Sequence, residues 1–169
     1  MKKLFLIVFT ILIAQTISAQ TSYILCGKLV DTKSGKIYKE KTIVVKDNKI
    51  TAVKDGYNMP KTDSLIDLRD KVVMPGLIDM HVHLEMEYDD KTRINKYILD
   101  EADVAYNSVK FAETTLKNGF TTVRDLGGSG VNISLRNAIN AGKIPGPRVF
   151  TAGKSLATTG GHADPTNGS

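Results

Sequence analysis

The first twenty residues segregate by polarity. Lys2 and Lys3 precede an apolar run from Leu4 to Ala14, broken only by Thr10, and Ser18-Ala19 follow just before Gln20. A basic head, a short apolar core and small residues behind it make the pattern of a cleaved secretory signal, and the core is too short to span a bilayer comfortably. An uncleaved N-terminal anchor is the alternative. Residues 1–19 are therefore expected to be a signal peptide. The chain is expected to be exported, periplasmic or extracellular, with no stable membrane insertion after cleavage.

From Gln20 to Met74 the pattern is that of short strands. "YILCGKLVD" leads into a turn at Lys33-Ser34-Gly35. Two β-branched runs, Thr42–Lys46 and Lys49–Val53, are joined by Asp47-Asn48 and read as a hairpin. "SLIDLRDKVVMPG" adds a strand that closes at Pro75-Gly76. Residues 20–74 thus read as a small β domain with few large side chains.

After Gly76 the rhythm changes. "GLIDMHVHL" is a strand. Ala105, Val109, Ala112 and Leu116 recur at helical spacing within residues 100–118, and Asn118-Gly119 stops that helix. "FTTVRDLGG" is a strand, "NISLRNAINAG" a shorter helix ending at Gly142, and "PRVFTAG" a third strand. Strand and helix alternating through tight links predict right-handed βαβ units and a parallel sheet. The sequence then runs to "TTGGHADPTNGS" without a helix to cover the third strand. A parallel sheet needs both faces covered, and a closed (β/α)8 barrel needs eight strands and about 250 residues. Residues 75–169 are therefore expected to be the first βα units of a truncated barrel in a larger protein. Residues 20–169 alone are expected to be at best marginally stable, aggregation-prone and inactive.

Composition adds mainly exclusions. The 169 residues are 41% hydrophobic and 24% charged, with a formal net charge of +5, as in an ordinary globular protein. The basic residues are scattered rather than clustered beside aromatics, so no nucleic-acid partner is expected. Cys26 is the single cysteine, which excludes an internal disulfide framework. Its place in a strand favours a buried, inert thiol, and the residues before it are too large for a lipidation signal.

The chain has three histidines, and two of them, His81 and His83, stand two apart in "GLIDMHVHL". Strict alternation puts Ile78, Met80, Val82 and Leu84 on one face of the strand, under helices, and Asp79, His81 and His83 on the other. Two imidazoles then project side by side near the C-terminal end of a parallel strand, where such folds place their active sites. Neutral imidazole suits zinc and other first-row divalent metals. On an antiparallel sheet the same residues, with Glu85, would simply face water. The βαβ rhythm argues against that, because unpaired polar groups on a covered face are costly. Arg124 and Asp125, closing the next strand, either line the same site or pair with neighbouring loops.

"VVMPGLIDMHVHL" resembles the first-strand signature of the amidohydrolase superfamily: an apolar strand, Pro-Gly, an acidic residue and His-x-His. "KTIVVKDNKITAV" with "SLIDLRDKVVMPG" is similar to the start of the β-sandwich flanking those barrels, and "GFTTVRDLGG" to their second strand. "GPRVFTAGKSLATTGGHADPTNG" resembles the third strand and following loop of the branch containing imidazolonepropionase-like proteins and prolidase-like Xaa-Pro dipeptidases. The resemblance implies an α/β fold: the N-terminal part of a (β/α)8 TIM-type barrel, about three strands, preceded by part of a small β-sandwich. It implies His81 and His83 as ligands of a divalent metal, zinc first, with one or two ions in the complete enzyme. His162, in the loop after the third strand, is implied to touch a small-molecule or dipeptide-like substrate.

In binuclear members of that superfamily a bridging carboxylated lysine, two further histidines and an aspartate that takes the proton follow on later strands. The general base is thus expected beyond the chain end, and Lys154 lies one strand too early for the bridge. The activity implied is an exported, metal-dependent hydrolase of an amide or peptide-like C–N bond. A cyclic-amide hydrolase or deaminase on the same fold is one alternative. A secreted metal-binding module or an inactive remnant is another. Homo-oligomerisation is left open.

Overall fold

The computed structural model describes residues 21–58, 60, 64–161 and 164. The chain divides into two compact units at Pro75/Gly76.

The first unit is a four-stranded sheet of β1 (Thr21–Asp31), β2 (Lys36–Lys46), β3 (Lys49–Asp55) and β4 (Ser64–Val73), in the order β3-β2-β1-β4. β1 and β2 run antiparallel as a long hairpin, so β2 starts well before the β-branched run that marks it in the sequence. The Asp31 carboxylate builds its turn by accepting the Lys33 N–H at 2.9 Å and the Ser34 hydroxyl at 2.6 Å. Asp47 and Asn48 turn the next hairpin with φ of 52° and 59°, the left-handed pair that a two-residue link between twisted strands requires. β4 pairs parallel to β1, and its register slips between Cys26 and Lys28. Gly27 sits at that slip, where a Cβ would overlap the Arg69 carbonyl oxygen. Leu25, Cys26, Thr42, Ile43 and Val44 are the buried residues of this sheet, and burial pushes the Cys26 thiol above its ordinary pKa.

The second unit is mixed α/β. Three parallel strands, β5 (Leu77–Val82), β6 (Phe120–Asp125) and β7 (Arg148–Thr151), lie in sequence order. Helix α1 (Thr92–Ile98) and helix α2 (Glu101–Lys117) follow β5, and α3 (Val131–Asn140) follows β6. Asp100 starts α2 with a capping box: its carboxylate accepts the N–H groups of Ala102 and Asp103, and the Asp103 side chain accepts the Asp100 N–H. Gly119, at φ 92°, ends the helix. The short α1 sets Ile94, Tyr97 and Ile98 at helical spacing, but one such set in seven residues is too short to stand out as a period, and all three are exposed. The core is Leu84, Ala112, Val123, Leu135 and Val149, joined by Val82, Val109, Phe120, Ile139 and Ile144. It lies where α2 and α3 cover one face of the sheet. Among the described residues no helix is long and apolar enough to cross a membrane.

Candidate functional site

Neighbours across a parallel pair share a face of the sheet, so the register tells which side chains meet the helices. Val123 pairs with Val149, and both belong to the helix-covered core. Thr122, Arg124, Arg148 and Phe150, one residue away on either strand, therefore lie on the opposite face. Phe150 is 58% exposed there.

β5 does not alternate strictly. Asp79 pairs with Val123, and Val82 pairs with Asp125, so three steps on β5 match two on β6. One residue is inserted, and the pattern of faces flips at that point. Asp79 consequently turns to the helix side, where it lines a cavity with Val82, Thr114, Thr115, Asn118 and Phe120. Ile78 and Met80 are 63% and 53% exposed. The expectation that Asp79 shares the histidine face, with Ile78 and Met80 under helices, is thus overturned by the inserted residue. Val82 and Leu84, beyond it, do pack into the core as alternation demands.

A side-chain contact accompanies the insertion. The Asp79 carboxylate accepts the backbone N–H of His81 at 2.9 Å, which gives that donor a side-chain partner within the same strand. His81 is exposed and His83 half-buried. Their rings meet edge to face with centroids 5.5 Å apart. Two imidazoles meeting on one tetrahedral ion at about 2.0–2.1 Å per nitrogen hold their ring centres about 5 Å apart, close to the separation of this pair.

His83 is also oriented. Its Nδ1 lies 2.8 Å from the Gly127 carbonyl oxygen. A carbonyl only accepts, so Nδ1 is the donor and Nε2 is the nitrogen that faces away from this contact. This is the arrangement that metal-binding histidines use: one nitrogen on a backbone acceptor, the other on the ion. Among the described residues no third His, Cys, Asp or Glu completes a metal-sized cluster with the pair.

The loop that carries Gly127 holds the strand end at further points. Asp125 is fully buried and accepts the N–H of Leu84 at 2.9 Å, the N–H of Gly127 at 3.0 Å and the Asn132 side-chain amide at 3.0 Å. Glu85 accepts the N–H groups of Ser129 at 2.6 Å and Asn132 at 2.7 Å. It caps α3, whose N-cap Gly130 has no side chain for the task; a carboxylate suits the positive end of a helix. Arg124 donates from Nε to the Met80 carbonyl at 2.9 Å. Asp125 is therefore a hub for N–H groups rather than the partner of a cation. Lys154 is exposed and forms an isolated bridge with Gly128. His162 lies outside the described residues.

Sequence reasoning missed Glu85 and Asn132. Glu85 reads as one more residue of a wet face, and Asn132 as an ordinary helix-start residue. The available signal was Gly130, which leaves α3 in need of a cap from elsewhere.

The profile of the amidohydrolase family matches residues 72–169. Ochratoxinase of Aspergillus niger is 31% identical over 160 residues, covering 91% of this chain and 32% of that protein. Among solved structures, a Xaa-Pro dipeptidase with methionine bound in its active site is 47% identical with a TM-score of 0.82, covering 89% of this chain and 37% of its own. A prolidase complexed with n-methylphosphonate-L-proline is 33% identical with a TM-score of 0.74, covering 85% and 34%. The chain matches the N-terminal part of such proteins and spans about a third of their length.

Proposed function

Because the chain belongs to the amidohydrolase family, we propose that it contributes His81 and His83 as two metal ligands of a hydrolase acting on amide or peptide-like C–N bonds. The orientation of His83 carries the metal reading: Nδ1 is committed to the Gly127 carbonyl, and Nε2 is left to bind. Zinc is the ion that a pair of imidazoles at the end of β5 suits well. The chemistry such an ion supplies is Lewis acidity, which polarises the scissile carbonyl and activates water near neutral pH.

The chain's own residues do three things in this reading. His81 and His83 would hold the ion. The Asp79 carboxylate fixes the backbone between them and the rest of β5. The Gly127 carbonyl keeps the His83 ring from turning. His162 is proposed to meet the substrate from the loop after β7. The substrate proposed is a dipeptide, on the 47% identity to the Xaa-Pro dipeptidase. Export through residues 1–19 belongs to the same proposal.

The test is replacement of either histidine by alanine in the whole protein. Bound metal, measured by elemental analysis, and hydrolysis of a Xaa-Pro dipeptide panel should fall together. Normal metal content in both variants would contradict the ligand role.

A further inference from the structure

One segment, Asp125 to Asn132, grips the end of β5. The Leu126 N–H donates to the Val82 carbonyl at 3.2 Å. His83 donates to Gly127, Leu84 to Asp125, and Glu85 receives Ser129 and Asn132. Gly127 is held on both sides of its residue: its N–H lies on Asp125 Oδ1, and its carbonyl lies on His83. Its φ of 141°, together with a Cβ position that would overlap Ser155, makes glycine necessary there. The same Asp125 oxygen accepts the Asn132 amide, which also donates to the Gly153 carbonyl at 3.0 Å. Asp125 and Asn132 are both fully buried.

We infer that Asp125, braced by Asn132, is a positioning residue for the proposed metal centre. It fixes the Gly127 carbonyl against His83 Nδ1 and thereby dedicates His83 Nε2 to the ion. A buried carboxylate is costly unless its acceptor capacity is used, and here both oxygens are occupied by N–H donors from the turn after β5, the β6–α3 loop and α3. The inference rests on His83 being a ligand. It adds that the ring's tautomer is set two contacts away.

The experiment uses the full chain labelled with nitrogen-15 at histidine and reads the His83 tautomer by long-range proton–nitrogen correlation, before any metal is added. Wild-type His83 should be a single Nδ1–H tautomer. Asp125→Asn should give a mixture of tautomers, and its zinc affinity by chelator competition should fall about 10–100-fold, as for other residues that orient a ligand. Asn132→Ala tests the same link by a second route if Asp125→Asn does not fold by circular dichroism.

Leu135→Ala, in the same core but outside the network, should lower stability while leaving tautomer and affinity in place. A wild-type Nε2–H tautomer would overturn the inference. So would folded Asp125→Asn or Asn132→Ala with wild-type tautomer and affinity, or an equal response from Leu135→Ala. Unchanged zinc binding in His81→Ala and His83→Ala would instead remove the ligand reading, and the tautomer readout would still decide whether Asp125 controls His83.

Discussion

Gly128 and Glu85 form a pair whose coupling can be worked out before it is measured. Gly128 has an ordinary φ, so alanine there is not strained by its backbone, but its Cβ would overlap the Glu85 carboxyl group. The carboxylate must then leave the Ser129 and Asn132 N–H groups. A hydrogen bond to a charged group contributes about 1.5–3 kcal/mol. Ser129 is exposed enough to recover a water, so the loss is close to one such bond at Asn132 plus about 0.3–1 kcal/mol of helix-end electrostatics. Gly128→Ala and Glu85→Ala should therefore each cost about 2–3 kcal/mol. The double variant should cost little more than Glu85→Ala alone, because the clash has no partner left. The coupling is then about 2 kcal/mol, well above the roughly 0.5 kcal/mol within which independent sites add.

Among the described residues helices occur only in the second unit, so urea unfolding followed at 222 nm reports on that unit. Additive costs in the double variant would refute both the contact and the capping role of Glu85.

Other expectations are simpler to state. Gly27→Ala drives a methyl into the Arg69 carbonyl at the register slip of β1 and β4 and should cost about 3 kcal/mol, visible as a lower urea midpoint of the first unit. The Arg69 side chain beside Asp67 donates to it and holds its carboxyl below the usual range, followed by the Arg69 backbone N–H. The stabilisation Asp67 contributes is thus full above the ordinary carboxylate pKa of about 3.9 and is lost as pH falls through its own lower value. Asp67→Asn should accordingly flatten the acid limb of a stability–pH curve below about pH 4, and an unchanged limb would discard the pair as a source of acid sensitivity. N-terminal sequencing of exported material should begin at Gln20, whereas an intact Met1 on secreted protein would refute cleavage.

The elements most legible in the sequence are those whose signals are local. The Asp47-Asn48 hairpin, the stop at Asn118-Gly119 and the alternation of strands and helices after Gly76 each depend on a few adjacent residues, and each is present. The parallel return of β4 to β1 was not legible, because it depends on a backbone approach at Gly27 that no periodicity encodes. α1 was missed because its single apolar set, Ile94, Tyr97 and Ile98, spans less than two turns and cannot repeat as a period. At the candidate site the two histidines were plain from their rarity and spacing. The contacts of Asp125, Glu85 and Asn132 were not, because they join residues 41 to 47 apart in sequence along with near neighbours.

The inserted residue in β5 shows why a correct choice of residues can come with an incorrect account of their faces. Strict alternation predicts one apolar and one polar face for the whole run from Ile78 to Leu84, and the side chains on their own fit that pattern well. Hydrophobicity cannot report the flip, because Asp79 is satisfied on the helix side by taking the His81 N–H. Its polarity there is a backbone matter rather than a sign of solvent or substrate. Once the flip is included, Val82 and Leu84 anchor the strand end in the core, and the residues between and before them, His81 and His83, are left on the other face as a pair. The same acidic residue that looks like a third member of a polar cluster is thus a device for setting the two imidazoles after the slip. Asp79→Ala should then leave both histidines in the chain but loosen their spacing. Its expected signature is loss of the fixed ring contact between His81 and His83, read as loss of their mutual cross-peaks by proton NMR, with the Val82–Leu84 packing retained. Cross-peaks of wild-type strength in that variant would show that the slip is held by something other than the Asp79 carboxylate.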